Sequence, residues 1–166
     1  MTEHYPVTFE PLYPDVTAPA RATEGAAGYD VRAHVTGRRV ELVRGSNPGF
    51  VEVDGDHLVL EPGIRAAIPL GFRATLPRGL EAQLRLRSSS AFRRGLVMPN
   101  APATIDSDYP GEWMILVTNT LSEPVEIGHL DRIGQIVFAR VETVAWRPGE
   151  VSLSSDRTGG IGSTGR

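Results

Sequence analysis

The sequence predicts an all-β domain, a jelly-roll-like barrel or sandwich with at most one short helix. Three observations carry that expectation. Seven runs rich in β-branched and apolar residues read as strands, at 40–43, 50–53, 57–60, 65–69, 81–86, 113–119 and 133–141. Clusters of turn-forming residues bound them, in a chain that holds 18 Gly and 13 Pro among its 166 residues. Helical periodicity is thin: the best candidate is a single turn at 89–93, where small residues follow a candidate Ser N-cap. Short strands at regular spacing suit a sandwich or jelly roll.

Each element has its punctuation. Gly45-Ser-Asn-Pro-Gly49 separates the first two runs. Asp54-Gly55-Asp56 then reads as the tip of a hairpin spanning 51–60, because Gly supplies the positive φ such turns need. Pro62-Gly63 precedes the run at 65–69, Pro77-Arg78-Gly79 the run at 81–86, and Ser122-Glu-Pro124 follows the run at 113–119. Alternation is clean in Glu81-Ala-Gln-Leu-Arg-Leu-Arg87: Ala82, Leu84 and Leu86 share one face and the polar residues the other.

Composition narrows the function classes. A net charge of −3 supplies no basic field for nucleic acid, so an anionic ligand would have to be met by a local group of arginines. The absence of cysteine excludes a disulfide framework, thiol nucleophiles and thiolate metal sites. No run approaches the roughly 20 apolar residues of a membrane span, and the first residues lack an apolar core like that of a signal peptide. The expectation is a soluble cytoplasmic protein. The four histidines, His4, His34, His57 and His129, are scattered without ligand spacing and read as surface or incidental.

The most informative stretch is Asn100-Ala-Pro-Ala-Thr-Ile-Asp-Ser-Asp-Tyr-Pro-Gly-Glu112. Pro102 before it and Pro110-Gly111 after it punctuate a tight hairpin rather than a helix. A lone carboxylate, Asp106, with a ring three residues on, Tyr109, suits a base that activates water against a cyclic substrate. It equally suits a plain turn aspartate. Arg87-Ser88-Ser89-Ser90 offers a guanidinium, hydroxyls and, if a helix begins there, free amide N–H groups for an anion; it also fits a simple cap after a strand. Asp30, after a Gly turn, reads as a structural anchor paired with an arginine such as Arg32 or Arg87, or as a metal ligand. Gln135 is an amide in an otherwise apolar strand and needs partners if buried. Arg157 and the Gly-rich Gly159-Gly160-Ile161-Gly162-Ser163-Thr164-Gly165 form either a nucleotide-covering loop or a plain tail.

Five stretches in fixed order resemble the five motifs of the homotrimeric dUTP pyrophosphatases (dUTPases). They are Ala27-Gly-Tyr-Asp-Val-Arg-Ala33, Arg87-Ser-Ser-Ser90, the segment around Asp106, Asp131-Arg-Ile-Gly-Gln-Ile136, and Arg157 to Gly165. The resemblance implies a dUTPase-like β domain over 1–150, with an inserted hairpin at about 37–60, and a tail over 151–166 that closes over the site, usually a neighbouring subunit's. It implies hydrolysis of dUTP to dUMP and pyrophosphate, which limits uracil incorporation into DNA and supplies dUMP for thymidylate synthesis. Asp106 would be the base that deprotonates water for in-line attack on the α-phosphorus. Arg87, Ser88, Ser89, Gln135, Arg157, Gly160, Gly162, Ser163 and Thr164 would bind phosphates. Tyr109 would pack on the deoxyribose, and Asn100, Ala103, Thr104 and Ile105 belong to the stretch whose backbone reads uracil. Asp30 and Gln135 would hold hydrated Mg²⁺ through water. Partners would be dUTP and two further copies in a homotrimer with shared sites, with no nucleic acid and no membrane.

Departures from the family pattern matter. Ser89 stands where Gly is usual, and Ala103 stands where Gly is common; if φ at 103 is positive, that alanine is strained. The usual tail has one more residue between its Arg and its Gly pair. The dCTP deaminases share the fold, but Leu116 stands where they carry their catalytic Glu. A weak enzyme that acts by binding nucleotide or a protein partner is the other alternative. Ile161 replaces a Phe that stacks on uracil, and it can cover a base only by dispersion. Ile161→Phe is therefore expected to speed turnover, as measured by steady-state dUMP formation; unchanged kinetics would refute that role.

Overall fold

A computed structural model describes residues 5–151. Its elements in chain order are β1 (Thr8–Pro11), β2 (Ala20–Arg21), β3 (Tyr29–Arg32), β4 (Arg39–Arg44), β5 (Asn47–Glu52), β6 (His57–Leu60), β7 (Arg65–Pro69), β8 (Phe72–Thr75), β9 (Leu80–Leu86), α1 (Ser88–Phe92), β10 (Leu96–Val97), β11 (Ala103–Ile105), β12 (Met114–Asn119), β13 (Val125–Gly128) and β14 (Arg132–Arg140). Two five-stranded antiparallel sheets, ordered β10-β12-β7-β4-β5 and β11-β9-β14-β3-β2, carry the fold; β1–β8 and β6–β13 form two-stranded pairs. This is the all-β sandwich that the alternating pattern implies. No helix among the described residues is long and apolar enough to cross a membrane.

The inner faces of both sheets meet in one core. Ile68, Ile115 and Val117 come from the first sheet, and Val31, Ala82, Leu84 and Ile136 from the second; all are buried. Burial in β9 alternates as its sequence predicts, with Ala82 and Leu84 fully inside. The sheets touch at Gly134, where a Cβ would stand 2.6 Å from Ile115 Cδ1 and 2.9 Å from the Arg85 carbonyl oxygen. A side chain there would force apart two close-packed layers.

Two turn expectations need correction. The hairpin of the 37–60 region is β4–β5, with Arg44 opposite Asn47 and Gly45 in the left-handed region at φ 61°. Asp54-Gly55-Asp56 is instead the passage between sheets: Gly55 is not left-handed, and β6 pairs with β13, not with β5. The segment at 100–112 is also not a paired hairpin. Its strand β11 hydrogen-bonds to β9, and a turn at Asp106–Tyr109 then leads the chain across to β12 in the opposite sheet.

One polar side chain stitches this interior. Asn119 is fully buried; its amide donates to the Leu60 and Glu123 carbonyls at 2.9 and 2.8 Å and accepts from Leu121 N at 2.9 Å. It closes the turn after β12 and ties β12 to β6. Asn119→Ala strands those backbone groups away from water and should cost on the order of 2–3 kcal/mol, read from urea unfolding midpoints at unchanged slope.

Candidate functional site

Strand register assembles the first cluster. Gln135 on β14 lies opposite Asp30 on β3 and opposite Arg85 on β9, so all three share the outer face. This alignment follows an irregularity: Arg132 pairs with Arg32 and Gly134 with Val31, which leaves Ile133 as an extra residue. Such a bulge re-aims the side chains beyond it. The Arg87 N–H donates to the Ile133 carbonyl at 3.3 Å, prolonging the ladder past β9.

Asp30 is held from two sides. Arg87 Nε stands 3.3 Å from its Oδ1 and Arg132 NH1 3.2 Å from its Oδ2, with the aspartate side chain only 20% exposed. Of the partners expected from sequence, Arg87 is correct and Arg32 is not: the Arg32 guanidinium donates to the Leu130 carbonyl at 2.8 Å. Gln135 Nε2 donates to the Leu86 carbonyl at 3.3 Å. Its amide lies across Gly28, where a Cβ would fall 2.0 Å from Oε1. A side chain at Gly28 would push the Gln135 amide out of this position.

The Arg87-Ser-Ser-Ser90 stretch does open a helical turn, but no serine caps it. α1 begins at Ser88, and Arg87 is the N-cap with φ −73° and ψ 148° and no side-chain cap bond. The Ala91 N–H bonds to the Arg87 carbonyl at 3.1 Å. Ser88 is exposed and Ser90 buried, so the turn sits on the sheet with its first residues facing out.

Asp106 lies elsewhere. β11 runs antiparallel to β9, with Ala103 opposite Leu84 and Ile105 opposite Ala82, so the chain moves away from Arg87 as it nears Asp106. The five steps from Ala82 to Arg87 amount to about 17 Å. Asp106 is exposed, and its carbonyl accepts from the Tyr109 N–H at 3.2 Å. Tyr109 is 39% exposed, lies over Gly111, and donates through its hydroxyl to the Glu112 carbonyl at 3.3 Å. The start of the same segment faces the other cluster: Ala101 and Pro102, joined by a cis peptide bond, line a groove with Arg85, Leu86 and Ala91. Asn100 and Thr104 are exposed. Ala103 is 6% exposed and packs its methyl into the core. Among the described non-glycine residues only Leu130 has positive φ, so the anticipated strain at Ala103 is absent. One chain thus holds two groups of candidate residues at opposite ends of β9, a cationic amide-bearing cluster and an acid beside a ring.

A family model for dUTPase matches residues 54–165, more than half of the chain. The chain belongs to the dUTPase family. A deoxyuridine 5'-triphosphate nucleotidohydrolase from Rhizobium rhizogenes (strain K84) is 43% identical over 150 residues, which is 89% of this chain and 84% of that protein. The dUTPase of Staphylococcus bacteriophage 80alpha, solved with dUPNHPP, superposes with a TM-score of 0.75 at 21% identity over 96% of this chain and 98% of its own. That of phage phi11 of S. aureus, a D→N mutant described for its coordination of a structural Mg(II) ion, gives a TM-score of 0.70 at 19% identity over 90% and 99%. At these identities the two structures speak to the fold alone.

The dUTPase tail, with Arg157, Gly160, Ile161, Gly162, Ser163 and Thr164, lies outside the described residues. Two of the histidines set aside as surface or incidental are not so. His34 is 4% exposed and its ring stacks on Tyr13 at 4.2 Å. Asp15 Oδ1 lies 3.2 Å from His34 Nε2, and Asp15 Oδ2 lies 2.8 Å from His129 Nε2. These three residues could chelate a cation by proximity, but their hydrogen bonding argues against it. His129 Nδ1 accepts from the Val35 and Thr36 N–H groups, both at 3.2 Å, and His34 Nδ1 faces the Arg38 guanidinium, which can only donate, at 3.4 Å. Both rings therefore carry their proton on Nε2 and give it to Asp15, whereas a ligating histidine donates from its other nitrogen. The trio is a latch between the N-terminal segment and the sheets. No sequence spacing could have revealed it, since residues 15, 34 and 129 meet only through the fold.

The hydrogen bond from His129, then a smaller opposing push from burial, then the bond from His34 leave the Asp15 carboxyl below its ordinary value. A group with a lower pKa folded than unfolded stabilises fully above the unfolded value of about 3.9 and loses that contribution as pH falls through the folded one. Asp15→Asn should lower the melting temperature at pH 7, and the gap to wild type should close on acidification through the carboxylate range, as followed by thermal melts across pH.

Proposed function

We propose that this protein hydrolyses dUTP to dUMP and pyrophosphate at sites assembled between copies of the chain, with Asp106 of one copy completing the Arg87–Asp30–Gln135 cluster of another. The observation that carries the reading is the separation of the half-sites along β9. A base must stand within hydrogen-bond reach of the proton it removes, and about 17 Å of strand between the two clusters favours their meeting across subunits. The homotrimer that the family resemblance implies is the assembly in which we propose the two clusters meet.

Asp106 takes a proton from water as its oxygen bonds to the α-phosphorus. The bond from that phosphorus to the bridging oxygen breaks, and the electron pair leaves with pyrophosphate. Arg87, the first amides of α1 and, from the tail, Arg157 offset charge on the phosphates. Tyr109 is exposed enough to pack against a deoxyribose, and the backbone around Asn100, Thr104 and Ile105 reads the base. Both Asp30 oxygens already face guanidinium groups, which suits contact with Mg²⁺ through its waters rather than direct ligation, the mode this strongly hydrated ion favours beside phosphates. Gln135 would serve likewise. When bound, the ion screens phosphate charge. We place the enzyme in the cytoplasm, where its nucleotide substrate is made and used.

Pyrophosphate release from dUTP tests the reading, with dCTP and dTTP as controls. Asp106→Asn should reduce kcat about 100-fold or more. Co-expressed Asp106→Asn and Arg87→Met chains, each inactive alone, should regain part of the activity because mixed assemblies contain intact shared sites. Full activity of Asp106→Asn would refute the base, and failure of the mixture would refute the sharing.

A further inference from the structure

We propose that Arg38 and Glu112 form a clamp that positions the Asp106–Tyr109 turn, so that the inserted segment of this chain serves the reaction carried out beside it. This rests on Asp106 being the base.

The turn is secured differently at its two ends. Its leading end continues from β11, held by the ladder to β9. At its trailing end Trp113 joins the opposite sheet through Trp113 N to the Phe72 carbonyl and Leu70 N to the Trp113 carbonyl, both 3.0 Å. Between these ends the bonds found are internal: Tyr109 N to the Asp106 carbonyl and Tyr109 Oη to the Glu112 carbonyl. Just after the turn, the Glu112 side chain reaches out to the body of the domain. Its Oε1 accepts from Arg38 NH1 at 3.0 Å and from the Gly71 N–H at 2.9 Å, and its Oε2 accepts from Arg38 NH2 at 2.6 Å.

Arg38 is itself fixed on every side. Its guanidinium carbon stands 4.9 Å from the Tyr13 ring centre, NH1 faces His34 Nδ1, and its carbonyl accepts from Val53 N at 2.9 Å at the foot of the β4–β5 hairpin. The two side chains are only 15% and 20% exposed. A bidentate, charge-assisted pair in that setting has one geometry, unlike the exposed Arg39–Glu52 pair on the same hairpin. Arg38 falls in the region of about 37–60 that the sequence suggests is an insertion, whereas Glu112 lies within the span matched by the dUTPase model. The catalytic turn would thus be braced by a residue from the foot of the β4–β5 hairpin, far from it in sequence. An error of about 1 Å in a reacting group can cost on the order of 100-fold, so a brace near the base is felt in turnover.

The test is steady-state kinetics on full-length Arg38→Met, Arg38→Lys, Glu112→Gln and, as control, Glu52→Gln, each assayed well below its own melting temperature. Arg38→Met should lower kcat roughly tenfold or more with a smaller change in KM. Arg38→Lys, which keeps charge but not the fork, should recover part of the loss, and Glu52→Gln should match wild type. A folded Arg38→Met with wild-type kcat overturns the proposal. Should that variant fail to fold, Glu112→Gln, which keeps shape and loses charge, decides by the same criterion. Asp106→Asn run alongside separates the failures. If it is inactive while the clamp variants are normal, only the clamp falls; if it is fully active, the base and the clamp fall together.

Discussion

The antiparallel register of β9 against its two neighbours is the constraint on which the site depends. On one side β14, shifted by the bulge at Ile133, sets Gln135 level with Arg85 and Asp30. On the other side β11 is paired so that Asp106 emerges at the far end from Arg87. Side chains alternate faces with a period of two, so a slip of one residue would turn Gln135 into the core and bring Ile136 out. The buried residues forbid that slip: Leu84 and Ile136 are directly opposed and both lie inside. Hydrophobic packing in the interior thereby fixes polar geometry on the surface.

Close contacts at two glycines protect the same register. Gly134 keeps the sheets in contact, and Gly28 leaves room for the Gln135 amide. Neither has a left-handed backbone. Their role is space rather than conformational freedom, which distinguishes them from Gly45 at the β4–β5 turn and from Gly71, at φ 75°, whose N–H holds Glu112.

Polar interactions between sheets do a second job, holding irregular chain that no ladder secures. Asp15 ties the N-terminal segment to His34 and His129, and His34 passes the connection to Arg38 and so to Glu112. The Glu112 carboxylate keeps Arg38 charged more firmly than usual by its hydrogen bonds, against the opposing effect of burial. Such polar chains are costly where buried and incomplete; here Asp15 is exposed and the inner members meet their partners. The body of the domain and the turn bearing Asp106 consequently share one network.

Much of this was readable along the chain. The alternation at 81–87 gave the faces of β9, the five motif stretches named the family, and the Gly/Pro clusters marked most strand ends. The single helical turn was placed within one residue, although its cap was misread because Arg87 takes the extended N-cap conformation without a side-chain bond. The hairpin at Asp54-Gly55-Asp56 was misplaced because local turn chemistry cannot tell which strand a neighbour pairs with. β6 finds its partner in β13, more than sixty residues later.

Side-chain period, turn residues and motif order are local properties, so the sequence alone determined the strand faces, the fold class and the family. Which strands pair, which end of β9 carries the acid, and which distant residues meet were decided by the tertiary structure. Arg38 and Glu112 are 74 positions apart, and Asp15 and His129 are 114 apart. Contacts of that kind exist only once the core has closed, since it is burial of the two inner faces that offsets the entropy of bringing such distant segments together.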